Sequence, residues 1–454
     1  MATRPRSVEE TSVSKLFDAA GEALEEGLIP VDIFNDPRMH ELELERVFGR
    51  CWVYVGHVSE IPEPGDYVLR YVGEDKFILN RSEDGEINLL LNACRHRGAS
   101  VCQAEKGNTS HFRCPYHAWI YKNNGDWAGA PSRTRAYKKL DASKWGLLAA
   151  PHVDTIQGMI FASLDPDAPN LRDYLGDFAW YLDTYLGLDP QGTSVMGEPH
   201  RWQVPANWKS GAENFCGDAY HVPVLHRSGE EIGSIPNIQN IVEEEFHVIP
   251  NEETGHNMIL GNVAGGPPRP PWGELNLPPE VIEKLDFDQL DAIQRDAVER
   301  FVPIVWTIFP NLSYIGAPGS SDPSKKMPAA FMAFRQWQPK GPDGMEIWNW
   351  PLTWNSAPEE FKRASYDGGV HFFSSSGIVE QDDTIAWAGA PEVGRSKFAR
   401  ANGMKFNLQM GRDGMSDHDV DETWQAPGTA YKSVFGEVSQ VLFYKRWLEE
   451  VSKS

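Results

Sequence analysis

The sequence predicts an α+β fold: a small all-β region near the N-terminus, then a larger region in which helices cover an antiparallel sheet. Three observations predict it. Between Trp52 and about Leu164 short strand patterns recur, among them Tyr67-Val-Leu-Arg-Tyr-Val72, Lys76-Phe-Ile-Leu79 and Gly158-Met-Ile-Phe-Ala162, each bounded by Gly, Asp or Asn. From Leu171 onward helical and strand patterns are mixed. The 454-residue length exceeds one ordinary domain, and 41% hydrophobic residues with 16 Trp provide material for large packed cores.

Taken in order, Leu42, Leu44 and Phe48 fall at helical spacing ahead of the strand-rich region. Further on, Ile282, Leu285, Ile293 and Ala297 share one side of an amphipathic helix expected over Val281 to Phe301, starting after Pro278-Pro279. Val302 to Ile315, Phe331 to Gln338 and Met345 to Trp354 read as strands, with Pro339-Lys-Gly-Pro-Asp-Gly344 as a hairpin turn. Ala430 to Val451 reads as a helix. Gly265-Gly-Pro-Pro-Arg-Pro-Pro-Trp272 reads as a stiff surface loop, because proline fixes the backbone.

Charge and cysteine content narrow the function classes. A formal charge of −23 disfavours nucleic-acid binding and attachment to an anionic membrane, leaving proteins and small molecules as partners. Five cysteines do not make a disulfide scaffold, which fits a reducing cytoplasm. Met1 to Phe17 is polar, with no apolar core of signal-peptide length, and no run of 18 apolar residues occurs.

The most informative residues are Cys94-Arg-His-Arg-Gly98 and Cys114-Pro-Tyr-His117. In a Rieske [2Fe-2S] centre two thiolates hold one iron and two neutral imidazoles the other, which raises the reduction potential. Cys94 and Cys114 would bind one iron, His96 and His117 the other, with Gly98, Pro115 and Gly125 turning the loops. Two Cys and two His can also hold a structural zinc, but zinc fingers pair Cys with Cys and His with His, whereas each loop here mixes the two. Cys51, Cys102 and Cys216 are left as reduced thiols.

A second constellation lies in Asn207 to His226. If Trp208 to His221 is helical, Asn214, Asp218 and His221 fall at i, i+4 and i+7 on one face, and Pro223 ends the helix so that His226 turns back towards His221. Two imidazoles and one carboxylate make the facial triad of non-haem Fe(II) oxygenases; the carboxylate must come from elsewhere in the chain.

The pairing of this Rieske signature with Asn214-Phe-x-Gly-Asp-x-Tyr-His221-x4-His226 is similar to the catalytic alpha subunit of Rieske non-haem iron aromatic-ring-hydroxylating dioxygenases, over nearly the whole chain. The resemblance implies an N-terminal helical segment at 1–49 packing with the catalytic domain, a Rieske domain at 50–165 inserted near the N-terminus, and a catalytic mononuclear iron domain at 166–454. It makes His221 and His226 iron ligands and matches the carboxylate to Asp383, with Asp382 its nearest competitor. It sets Asp218 between His221 and the cluster ligand His117 of the partner subunit, Asn214 close to the iron, and Phe215, Phe373 and Val379 in the substrate pocket.

The cofactors so implied are one Rieske [2Fe-2S] cluster and one mononuclear Fe(II) per chain. The implied reaction adds both atoms of O2 to an arene, giving a cis-dihydrodiol, with electrons from NADH relayed by a reductase and ferredoxin. The implied assembly is an alpha trimer, often an α3β3 hexamer with small beta subunits. On the same scaffold the alternative is an aromatic monooxygenase or demethylase. Two other classes are a Rieske electron carrier, which would hold two irons per chain where the oxygenase holds three, and a colourless zinc-stabilised interaction protein. Arg95, Arg97, Lys106 and Arg113 form a basic collar around the cluster ligands, suited to an acidic ferredoxin.

Overall fold

The computed structural model describes residues 13–233, 246–262, 277, 279–319, 329–411, 420–432 and 435–453. The proline-rich segment Gly265 to Trp272 lies outside the described residues. The chain divides into two compact units, 48–171 and the combination of 1–47 with 172–454.

The smaller unit is built from antiparallel strands in three small sheets: Val53–His57 with Met159–Ser163 and His152–Ile156; Ile87–Leu91, Asp75–Arg81, Asp66–Val72 and Lys106–Asn108; and His111–Arg113, Ile120–Lys122 and Trp127–Gly129. Its core includes Leu69, Ile78, Leu90, Phe112, Trp119, Tyr121 and Trp127, and Cys94, Cys102 and Cys114 are buried in the same cluster. Apolar side chains thus surround both sulfur atoms expected to bind iron.

The larger unit is organised by an eight-stranded antiparallel sheet. Met345–Trp354 pairs on one side with Thr193–Val195 and His200–Val204 and on the other with Ala329–Pro339; Leu312–Gly319, Phe301–Ile308, Asn257–Asn262 and Phe246–Pro250 follow. The hairpin at 340–344 forms where the turn residues stand: Lys340 N–H donates to the Gly344 carbonyl at 2.9 Å, and Gly341 takes φ +78°. The helix Trp208–Gly217 lies against this sheet so closely that a Cβ on Gly211 would meet the Trp337 ring at 2.4 Å, so only glycine fits there.

That helix is anchored by a buried charge cluster. Lys209 is 0% exposed, and its Nζ lies 2.5 Å from Glu43 Oε1. The Trp447 indole donates to the same oxygen at 2.8 Å, and Trp208 donates to Oε2 at 2.9 Å. Both carboxylate oxygens are satisfied, which offsets much of the cost of burying the pair. The cluster joins the N-terminal segment, the Trp208–Gly217 helix and the C-terminal helix Val438–Ser452.

Four expectations about elements need correction. The helix expected over Val281 to Phe301 is two, Pro279–Ile282 and Ala292–Arg300. Asp291 starts the second as a capping box, accepting from Ile293 and Gln294 N–H at 2.8 Å each, while the Gln294 side chain accepts from Asp291 N–H. The strand expected over Val302 to Ile315 is a pair, Phe301–Ile308 and Leu312–Gly319, because Pro310 has no N–H for the ladder and Asn311 turns the chain, its amide donating to the Trp337 carbonyl. The C-terminal helix starts at Val438 instead of Ala430, since Tyr431 bridges to Val248 and Val420. The Trp208 helix stops at Gly217, with Asp218 as its C-cap at φ −92°, ψ 76°. His221 therefore does not continue it: His221 opens the short helix Val222–Leu225, with Pro223 in its first turn, and His226 closes it.

Candidate metal centres

The two Cys-His loops have the same backbone despite different sequences. In each, the cysteine N–H donates to the carbonyl five residues on (Cys94 to Ala99, Cys114 to Trp119, both 2.8 Å), and the N–H four residues on donates back to the cysteine carbonyl (Gly98 at 2.8 Å, Ala118 at 3.0 Å). The closing residue takes positive φ, +75° at Gly98 and +56° at Ala118. One loop places its histidine two residues after cysteine and the other three. The His96 and His117 rings meet edge to face with centroids 4.6 Å apart.

The donor set fits a mixed sulfur and nitrogen cluster. Cys94 and Cys114 are free thiols, 3% and 2% exposed, and the Nδ1 atoms of His96 and His117 are buried with no hydrogen-bond partner among the described residues. Buried imidazole nitrogens without partners are costly unless something binds them. The Tyr121 hydroxyl lies 3.2 Å from Cys94 Sγ and accepts from Arg95 N–H at 3.0 Å, and Trp119 stacks on His96 at 5.2 Å. Tyr121 and Trp119 were absent from the sequence reading of the site. Of the basic collar, Arg97, Lys106 and Arg113 are exposed, whereas Arg95 is half-buried, donating to the Gly146 carbonyl at 2.9 Å.

In the larger unit His221, His226 and Asp383 bring one ligand atom each within 4.8 Å of one another. Asp383 Oδ1 lies 3.3 Å from His226 Nε2 and 3.6 Å from His221 Nε2, and has no hydrogen-bond partner among the described residues. An orphaned carboxylate oxygen facing two imidazole nitrogens is what a cation would satisfy. The far nitrogens face other carboxylates: His221 Nδ1 is 2.9 Å from Asp218 Oδ1, and His226 Nδ1 is 3.5 Å from Asp382 Oδ2. Asp382 thus stands behind His226, outside the space that Asp383 shares with both Nε2 atoms. Burial would lower the His221 pKa, but the Asp218 carboxylate, with Asp383, holds it above its ordinary value.

Asn214 sits beside Asp218, its amide donating to Oδ2 at 3.0 Å. Phe215, Phe373 and Val379 are buried at 4%, 6% and 6% exposure. Val379 is the N-cap of the helix Glu380–Arg395, which carries Asp383 in its first turn. Between Phe215 and Phe373 stands Arg335, 0% exposed, its guanidinium carbon 5.3 and 4.9 Å from the two ring centroids. Arg335 pairs with Glu380. Burial pushes the Glu380 carboxyl up to about 7, against the opposing pull of Arg335. Sequence reasoning missed this pair; the available signal was an arginine within the apolar run Phe331-Met-Ala-Phe-Arg-Gln-Trp337.

The Rieske [2Fe-2S] domain family matches residues 51–146, and the ring hydroxylating alpha subunit (catalytic domain) family matches 171–406. The N,N-dimethyl phenylurea N-demethylase subunit alpha of Sphingobium sp. (strain YBL2) is 38% identical, over 97% of this chain and 95% of that one. The biphenyl 2,3-dioxygenase subunit alpha of Rhodococcus jostii (strain RHA1) is 32% identical, over 93% and 88%. Among solved structures, naphthalene 1,2-dioxygenase from Rhodococcus sp. bound to indole superposes with a TM-score of 0.89 at 40% identity, covering 97% of this chain and 98% of that one. Two family matches that follow one another along the sequence, with full-length relatives above 30% identity, make this chain an alpha subunit of the Rieske ring-hydroxylating oxygenases, an enzyme whose cofactors are a [2Fe-2S] cluster and a mononuclear iron.

Proposed function

We propose that the chain is the terminal oxygenase of a multicomponent system that cis-dihydroxylates an aromatic ring with O2 and electrons relayed from NADH through a reductase and ferredoxin. The observation that carries this reading is that one ligand atom each of His221, His226 and Asp383 lie within 4.8 Å of one another, with Asp383 Oδ1 facing both Nε2 atoms. The likeness to naphthalene 1,2-dioxygenase supports the arene and the dioxygenase outcome.

When bound, the cluster supplies single electrons and the mononuclear iron supplies dioxygen activation. Cys94, Cys114, His96 and His117 would hold the cluster, and His221, His226 and Asp383 would hold the iron. Asp218 faces His221 Nδ1 at 2.9 Å and would favour the tautomer protonated there, leaving Nε2 for the metal, and Asp382, farther off at 3.5 Å from His226 Nδ1, would do the same more weakly. Asn214 holds the second oxygen of Asp218. By the family resemblance, Asp218 would lie between His221 and the cluster ligand His117 of the partner subunit in an α3 or α3β3 assembly. Phe215, Phe373 and Val379 wall the arene site and exclude water from it.

Product analysis under labelled O2 tests the reading. Two labelled atoms in a dihydrodiol are expected from a panel of arenes. One labelled atom, with formaldehyde released from an N-methyl aryl substrate, would replace it by the second reading, which rests on the relative named as an N-demethylase. Asp218→Ala is expected to cut turnover about 100-fold with both metals retained, checked by iron content and single-turnover kinetics. For the electron donor, Arg97→Glu with Arg113→Glu is expected to slow cluster reduction by an acidic ferredoxin several-fold at low salt; equal rates at all ionic strengths would remove the collar as a docking surface.

A further inference from the structure

The helix Glu380–Arg395 carries Asp383 but begins without a side-chain cap, since Val379 offers none. Its first turn is held instead by charge. Glu380, 1% exposed, meets Arg335 Nη2 through Oε2 at 2.5 Å, and Arg335 comes from the sheet strand Ala329–Pro339. The guanidinium is enclosed by Phe373, Phe215 and Trp337 at 4.9, 5.3 and 5.0 Å. Unlike Glu43 and Lys209, this pair is not saturated: Arg335 Nε and Nη1 and Glu380 Oε1 have no hydrogen-bond partner among the described residues. A buried ion pair with spare hydrogen-bonding capacity is a poor source of stability, and apolar replacement of both partners is often neutral or stabilising. Its geometry suits another task, because Glu380 and Asp383 are three residues apart on one helical turn and project to the same side.

We propose that Arg335 and Glu380 are positioning residues that tie the first turn of this helix to the sheet and so set where the Asp383 carboxylate stands relative to His221 and His226. The consequence is Fe(II) affinity: with the tether cut, the turn is free to rotate and Asp383 drifts from the two Nε2 atoms. Because Phe215 and Phe373 pack on the same guanidinium, the tether also links ligand placement to the aromatic wall. This inference rests on the reading of His221, His226 and Asp383 as the iron ligands.

The test is Fe(II) titration of the iron-depleted full chain, followed by the electron paramagnetic resonance of its nitric oxide adduct, with Rieske absorbance as internal control. The variants are Glu380→Gln, Arg335→Met and the volume-matched pair Arg335→Met with Glu380→Met, with Asp383→Ala as reference. The double variant is expected to keep wild-type thermal stability and cluster absorbance, lose Fe(II) affinity 10–100-fold and give a broadened nitric oxide signal. Wild-type affinity and an unchanged signal in the double variant would overturn the proposal, as would iron loss that only follows global unfolding and cluster loss. If Asp383→Ala itself binds Fe(II) like wild type, the ligand assignment fails and this inference falls with it.

Discussion

His96 and His117 meet edge to face with ring centroids 4.6 Å apart and planes at 75°, and His221 and His226 do the same at 5.2 Å and 76°. The two imidazole pairs are nearly the same object in different surroundings. The first belongs to loops with two buried thiols and a cationic neighbour, and burial, then His117 and Arg97, lower the His96 pKa. The second is ringed by Asp218, Asp382 and Asp383, and the His221 pKa is raised. Imidazole alone does not decide the chemistry. Thiolates complete a cluster that stores charge, whereas a single carboxylate completes a triad with room for oxygen.

The strongest way to break this comparison is to delete one pair. His221→Ala with His226→Ala is expected to abolish turnover, by at least about 1,000-fold, and to lower bound iron from about three atoms per chain to about two, leaving the Rieske spectrum intact. Iron analysis and visible absorbance on one sample decide it. Loss of both spectrum and iron would show that the two pairs depend on one another and are not separate sites.

The cluster pair was legible because each Cys-His unit is local: one loop, a fixed order of ligands, and turns built from nearby residues. The twin geometry of the loops was not legible, since Ala118 occupies a conformation that its residue type disfavours. The iron pair was half legible. His221 and His226 are close in sequence, but Asp383 lies 157 residues after His226 and was reached through resemblance alone. The expected continuous helix to His221 failed because Asp218 leaves the helix at Gly217 and a short Pro-initiated turn presents the histidines instead. Arg335 and Glu380 were invisible because their meaning depends on which strand faces which helix. Two of the elements misread elsewhere share a cause: capping and turn residues, Asp291 and Pro310, interrupted apolar patterns that look continuous, whereas the C-terminal helix starts late because Tyr431 pairs with Val248 and Val420.

One buried polar group in each unit sharpens the contrast. The helix leading to Asp218 is anchored by Lys209 and Glu43, and Lys209→Met leaves a buried carboxylate facing two indoles without its cation. A loss of about 3–5 kcal/mol is expected, read as a fall in the urea midpoint; Lys209→Met with Glu43→Gln should recover part of it. In the smaller unit, His57 is 0% exposed and burial holds its pKa down at about 4 against 6.5. The sign follows from that depression. Above pH 6.5 both states are neutral and the group contributes nothing; between 6.5 and 4 the unfolded chain takes up a proton that the folded chain refuses, and about 3 kcal/mol of stability is lost. Hydrogen exchange in the strands Val53–His57 and Met159–Ser163 should steepen over that window and flatten in His57→Gln.

The smallest effect probes the twin loops themselves. Gly98 and Ala118 close equivalent turns at φ +75° and +56°, and a Cβ at Gly98 would meet nothing within 4 Å. Gly98→Ala should therefore cost only the intrinsic strain of that conformation, about 1 kcal/mol, and leave the cluster spectrum unchanged; Ala118→Gly should gain up to about the same amount, less the added freedom of the unfolded chain. Thermal melts of the two variants decide whether the loops are energetically equivalent. A much larger loss at Gly98 would mean that its loop is held to a tighter geometry than its twin, with His96, two residues from its cysteine, as the reason.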